Sequence, residues 1–129
     1  MNPEIKFELT AYYDLLNLHK ALLEAKFHKD PENPYVAGSP IIANICNTLI
    51  ETLAEYDTST KGFEDWTEWR NIEHQDFYRE RIIDNILNDG NWGERTYEEK
   101  LAVVKNNMSP FCGSNDEIDK MISAVDKKL

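Results

Sequence analysis

Between residues 31 and 60 this chain has neither lysine nor arginine, and the other shortages are as informative. It has two cysteines, Cys46 and Cys112. That is far from the dense disulfide framework of a small secreted domain, so both are expected as reduced thiols. Its five glycines, Gly38, Gly62, Gly90, Gly93 and Gly113, form no Gly-x-Gly and no Gly-Lys-Ser or Gly-Lys-Thr, which excludes a glycine loop cradling phosphate. None of the three histidines has a glutamate three residues before it, and His-Glu-x-x-His is absent, which excludes the usual zinc and di-iron helices. No apolar run approaches the length of about eighteen residues that marks a bilayer span. Residues 1–9 carry Glu4, Lys6 and Glu8 in place of the basic start and apolar stretch of a secretory signal, so a cytoplasmic location is expected.

What is present is negative charge, unevenly spread. The 129 residues hold 24 acids against 14 bases, a net charge of −10, and the first and last thirty residues are nearly balanced. Residues 31–60 contribute −4, and residues 61–99 contribute −6 through eleven acids and five bases. Such a surplus opposes binding to phosphate backbones or anionic membranes and suits a basic protein partner. It also leaves room for a protein that imitates DNA.

Apolar periodicity predicts helices throughout. In residues 10–29, Tyr12, Leu15, Leu16, Leu22, Leu23 and Phe27 line one face, with Thr10 as cap and Lys26, His28 and Lys29 beside the negative end of the helix. His19 and His28 point to opposite faces, which leaves His19 exposed and prevents a shared metal. Ser39-Pro40 starts a second helix with the stripe Ile42, Ile45, Cys46, Leu49, Ile50 and Leu53, ending at Asp57-Thr58-Ser59-Thr60. Residues 62–88 read as two helices, or one bent helix, joined near His74: Phe63, Trp66, Trp69 and Ile72 on one side, Tyr78, Ile82 and Ile86 on the other. Asn88-Asp89-Gly90 is a stop. Thr96 with Glu99, and Ser114 with Glu117, have capping-box spacing and open two further helices anchored by Leu101 and Val104, and by Ile118, Met121, Ile122 and Val125. With no convincing alternation of apolar and polar residues, the chain is expected to be all-α: a single compact bundle of about five or six helices forming one domain over residues 1–129.

No catalytic set stands out, and no cofactor is implied. Residues 85–96 have a calcium-loop outline, but Leu87 and Thr96 occupy ligand positions. Cys46 falls on an apolar stripe and reads as a small core residue. The richest stretch is residues 64–76, where Glu64, Asp65, Glu68, Glu73 and Asp76 surround Trp66 and Trp69. Carboxylates flanking large aromatics suit either a solvated helix anchored in the core or an interface, in which aromatics bury and acids meet a basic patch. Glu51, Glu55 and Asp57 on the preceding helix would extend the same field if the two helices are antiparallel neighbours. Trp92 is a further candidate anchor.

A short, acidic, helical chain with a Trp-containing acidic segment at residues 64–76 resembles the immunity proteins of bacterial contact-dependent growth-inhibition and other polymorphic toxin systems. The resemblance implies a non-enzymatic inhibitor with one cognate basic partner, typically a nuclease toxin domain whose substrate-binding cleft it covers, and assigns no individual residue. Glu51, Glu55, Asp57, Glu64, Asp65, Glu68, Glu73 and Asp76 are then the candidate charge contacts, and Trp66, Trp69 and Trp92 the candidate anchors. Two other readings stand beside it. One is a DNA mimic that inhibits nucleic-acid-binding proteins; the other is a small metal-dependent hydrolase in which Glu51 and Glu55, four apart, face the same way on one helix.

Overall fold

The computed structural model describes residues 4–61 and 66–129. The fold is an all-α bundle: α1 (Tyr12–Lys26), α2 (Pro40–Lys61), α3 (Trp66–Arg70), α4 (Asp76–Leu87), α5 (Tyr97–Met108) and α6 (Asn115–Lys128). Single 3-10 turns occupy Ile72–His74 and Trp92–Glu94. Among the described residues there is no strand, only an isolated bridge between Asn71 and Cys112. No helix is long and apolar enough to cross a membrane among those residues. Phe63, expected on the third helix, lies outside the described residues.

Helices α4, α5 and α6 pack against one another, and their inward faces make the core. Ile82, Ile83 and Ile86 of α4 meet Val104 and Met108 of α5 and Ile118, Met121, Ile122 and Val125 of α6. Phe27, Ile72, Trp92 and Phe111 close the ends. Helix α2 packs on α1 and α5 through a second set of buried side chains, Ala43, Cys46, Leu49, Ile50 and Leu53.

The helix starts follow local chemistry. The Ser39 Oγ accepts from the Ile42 N–H at 3.2 Å, with Pro40 at the first helical position. Thr96 and Glu99 form a reciprocal capping box, and Ser114 accepts from the Glu117 N–H. Thr96→Ala is expected to lower stability by about 1 kcal/mol, read as a shift in denaturant midpoint with unchanged slope.

Four local expectations are corrected. Helix α1 is capped by Ala11, whose side chain has no acceptor, and Thr10 lies outside it. Helix α2 runs through Asp57-Thr58-Ser59-Thr60, where the Ser59 and Thr60 hydroxyls donate back to the Tyr56 carbonyl instead of ending the helix. Ile45 is exposed, because the buried stripe of α2 runs through Ala43, Cys46, Ile50, Leu53 and Asp57. His19 is buried, with its ring edge-on to Trp66 and Trp69 at centroid distances of 5.5 and 5.3 Å. Burial, assisted by nearby Lys20, holds its pKa down at about 4.

Lys26 also does something other than expected. Its side chain is only 1% exposed, and Nζ donates to the carbonyls of Asn106 and Asn107 at 2.6 and 2.8 Å. These are C-terminal carbonyls of α5 with no intrahelical donor, so the lysine caps a different helix from its own by hydrogen bonding. Asn85 donates to the Lys26 carbonyl and ties α4 to the same junction.

Candidate partner-binding surface

Helix α3 is fixed beside α2 by side-chain contacts at both ends. Trp66 Nε1 donates to Asp57 Oδ2 at 2.7 Å near the C-terminus of α2, and the Arg70 guanidinium donates to Asn47 Oδ1 at 3.2 Å further back. Low numbers on α2 thus meet high numbers on α3, and the two helices run antiparallel. Arg70 also donates to the Pro110 carbonyl, and the Cys112 N–H and carbonyl bond to the Arg70 carbonyl and Ile72 N–H. The short helix is therefore clamped between α2 and the loop before α6. Gly113 belongs to this clamp: a β-carbon there would lie 2.9 Å from Ile72 Cγ2.

On this frame the candidate acids divide. Glu51 and Glu55 on α2 are both exposed; Glu51 follows Asn47 by one turn and flanks α3, whereas Glu55 is turned roughly 160° around the helix from Asp57. Glu68 on α3, Glu73 in the following turn and Asp76 at the start of α4 are exposed too. Asp76 has a local role, since an acid at a helix N-terminus is favoured by the dipole. Asp57 does not join them. It is buried and accepts the Trp66 hydrogen bond, so its carboxylate is part of the helix junction. Glu64 and Asp65 lie outside the described residues.

The expected tryptophan anchors face inward. Trp92 is 1% exposed, with Nε1 donating to Asp126 at 2.7 Å and the Lys100 ammonium 5.1 Å from the ring centroid. A side chain so enclosed has no surface to offer a partner. Trp66 and Trp69 are half-buried, packed edge-on to each other, and Trp69 lies against Phe111 at 4.7 Å between centroids. They brace α3 against the core.

The exposed aromatics near the acids are different residues. Tyr56, directly after Glu55, is 49% exposed and its ring lies 5.0 Å from that of Tyr12, which in turn touches exposed Tyr13. Phe77, directly after Asp76, is 61% exposed with the Arg81 guanidinium 5.5 Å from its ring centroid. Their signal was present for Phe77 and Tyr13, which fall off the apolar stripes of their own helices. It was absent for Tyr56, which follows Leu53 at core spacing.

The arginines of the same region are turned to internal use. Arg70 serves the clamp, Arg79 is paired with buried Glu117, Arg95 binds Asp89 at 2.7 Å, and Arg81 lies 3.7 Å from Asp84. Arg95 holds the Asp89 carboxyl below its usual range, chiefly by hydrogen bonding. Among the described residues, Glu51, Glu55, Glu68, Glu73 and Asp76 have no salt bridge. Among the described residues, these five carboxylates on α2, α3 and the start of α4 are left uncompensated by ion pairs.

Two open grooves are found among the described residues: one of about 290 Å³, its lining including Glu73, Cys112, Ser114 and Glu117, and one of about 570 Å³ on α6, its lining including Asp116, Asp119, Lys120 and Lys127. No three histidine, cysteine or acidic side chains gather around a common metal position among the described residues. Comparison with protein-family models, curated proteins and solved structures finds no match to this chain.

Proposed function

We propose that this chain is a non-enzymatic acidic binding protein that inhibits a basic protein domain, in the manner of an immunity protein covering the cationic cleft of a toxin nuclease. One observation carries the reading: the exposed carboxylates Glu51, Glu55, Glu68, Glu73 and Asp76 lack ion-pair partners among the described residues, while Arg70, Arg79 and Arg95 are committed internally. A surplus of unpaired like charge costs stability through self-repulsion, and a basic partner removes that cost on binding. Tyr56 and Phe77 take the anchoring role first assigned to tryptophan, because exposed aromatics beside acids are what a partner can bury. Of these acids only Glu73 lines a described groove, and that groove is open, which suits another macromolecule better than a small substrate.

The test is the triple reversal Glu51→Lys, Glu55→Lys, Glu68→Lys. Association with the captured partner should slow by about tenfold or more at low salt, and its salt dependence should flatten. Stability should change by no more than about 0.5 kcal/mol per site. An unchanged association rate in a folded variant removes this face from the interface. Retention of many nucleic-acid-binding proteins, all displaced by DNA, would replace the single-partner reading with mimicry.

A further inference from the structure

Residues 4–10, Glu4-Ile5-Lys6-Phe7-Glu8-Leu9-Thr10, form neither helix nor strand, and they display apolar side chains to solvent. Ile5 is 97% exposed and Phe7 83%. Apolar and charged residues alternate strictly from Glu4 to Leu9, and Lys6 Nζ lies 3.0 Å from Glu8 Oε1. A contact between residues two apart is what extended backbone allows, since alternate side chains share a side. The segment thus has the chemistry of a strand with one apolar side, one charged side, and no sheet.

We propose that residues 4–10 are a pairing strand whose partner is a second copy of this chain, joined antiparallel about Phe7. The charges select both the partner and the register. With the two strands antiparallel and centred on Phe7, Lys6 stands opposite the partner's Glu8 and Glu8 opposite the partner's Lys6. The other side then stacks Phe7 on the partner's Phe7 and Ile5 on the partner's Leu9. Opposite charges and apolar pairs placed directly across a ladder are both favourable. Centring on Lys6 sets lysine against lysine, centring on Glu8 sets glutamate against glutamate, and a parallel in-register pair sets every charge against its like. A foreign sheet edge has no reason to match this palindrome. The resulting contact is isologous, as closed two-fold dimers require. It also gives an exposed strand-like segment a backbone partner, which is the usual fate of unpaired strand edges.

Each strand brings only Ile5, Phe7 and Leu9 to the contact, well short of the roughly 1,600 Å² of a standard interface. The dimer is therefore weak and concentration-dependent. Sedimentation equilibrium of the full chain over a wide concentration range should give a monomer–dimer curve. Phe7→Asp should leave monomer only, with an unaltered helical circular-dichroism spectrum. Lys6→Glu alone and Glu8→Lys alone should each weaken the dimer by tenfold or more. An equimolar mixture of those two variants should restore it, because one strand then carries acids at both positions 6 and 8 and the other bases at both. A monomer at all concentrations, a dimer indifferent to Phe7→Asp, or a mixture no tighter than its components overturns the proposal.

Discussion

Trp92→Ala is expected to cost about 3–5 kcal/mol, the range for removing a large buried aromatic, against a total stability of about 5–15 kcal/mol for a domain of ordinary size. The ring occupies the turn between α4 and α5, where it belongs to the core cluster, and its indole N–H holds Asp126 on α6. Truncation therefore opens a cavity and releases a cross-helix hydrogen bond together. Asp126 keeps its bond to Lys100 at 3.0 Å, so the carboxylate is not stranded. Trp92→Phe keeps most of the apolar filling and should cost about 2 kcal/mol, mainly the lost hydrogen bond to a charged acceptor. Phe77→Ala, by contrast, should cost less than about 1 kcal/mol, because its ring is mostly in water. Guanidinium unfolding midpoints measure all three. A Trp92→Ala protein as stable as the parent would place the indole outside the core and return it to the list of partner contacts.

The second large effect is a pH dependence set by Lys26. Burial, only partly opposed by the neighbouring Cys46, lowers the pKa of the amine to about 7. A neutral amine still has two N–H groups, enough to serve the carbonyls of Asn106 and Asn107. In the unfolded chain the same amine titrates near its ordinary value of about 10.4. Between about pH 7 and about pH 10 the folded state is therefore neutral there while the unfolded state is charged, and unfolding takes up a proton. Stability contributed by this group is complete above the unfolded value and is lost as pH falls towards the folded one. Relative to Lys26→Met, which cannot titrate, the parent should gain up to about 1.4 kcal/mol per pH unit across that window. Tyrosines titrate alike in both proteins and cancel in the difference. Denaturant unfolding of the pair at several pH values reads it directly. A difference that stays flat would mean that water reaches the ammonium.

Much of the fold is legible in local chemistry. Ser39-Pro40, the Thr96–Glu99 box, the Ser114 cap and the Asn88-Asp89-Gly90 stop act through neighbours in sequence, and each marks a helix boundary in the structure. The join near His74 is likewise a 3-10 turn, with Asn71 accepting from the Glu73 N–H. What periodicity cannot supply is the identity of the facing element. Lys26 looks like a solvated cation at its own helix end, and only the position of α5 makes it a buried donor. Asp57 looks like one more surface acid until Trp66 is brought to it. Trp92 sits alone in a turn with no stripe to betray its burial. The short alternation of Ile5, Phe7 and Leu9 is too brief to predict a strand, and residues 4–10 form none. At the candidate surface, the charge surplus is a property of the sequence, but its lack of compensation is not. That depends on where Arg70, Arg79 and Arg95 turn, which only tertiary contacts decide.

The most direct measurement is capture from native cell extract at low and at high salt, using the parent and the Glu51→Lys, Glu55→Lys, Glu68→Lys variant side by side. The parent should retain one basic protein at low salt, release it as salt rises, and inhibit its activity when the two are recombined. The variant should fail at each step. Equal retention and inhibition by both proteins would contradict the claim that uncompensated carboxylates on α2 and α3 form the working surface.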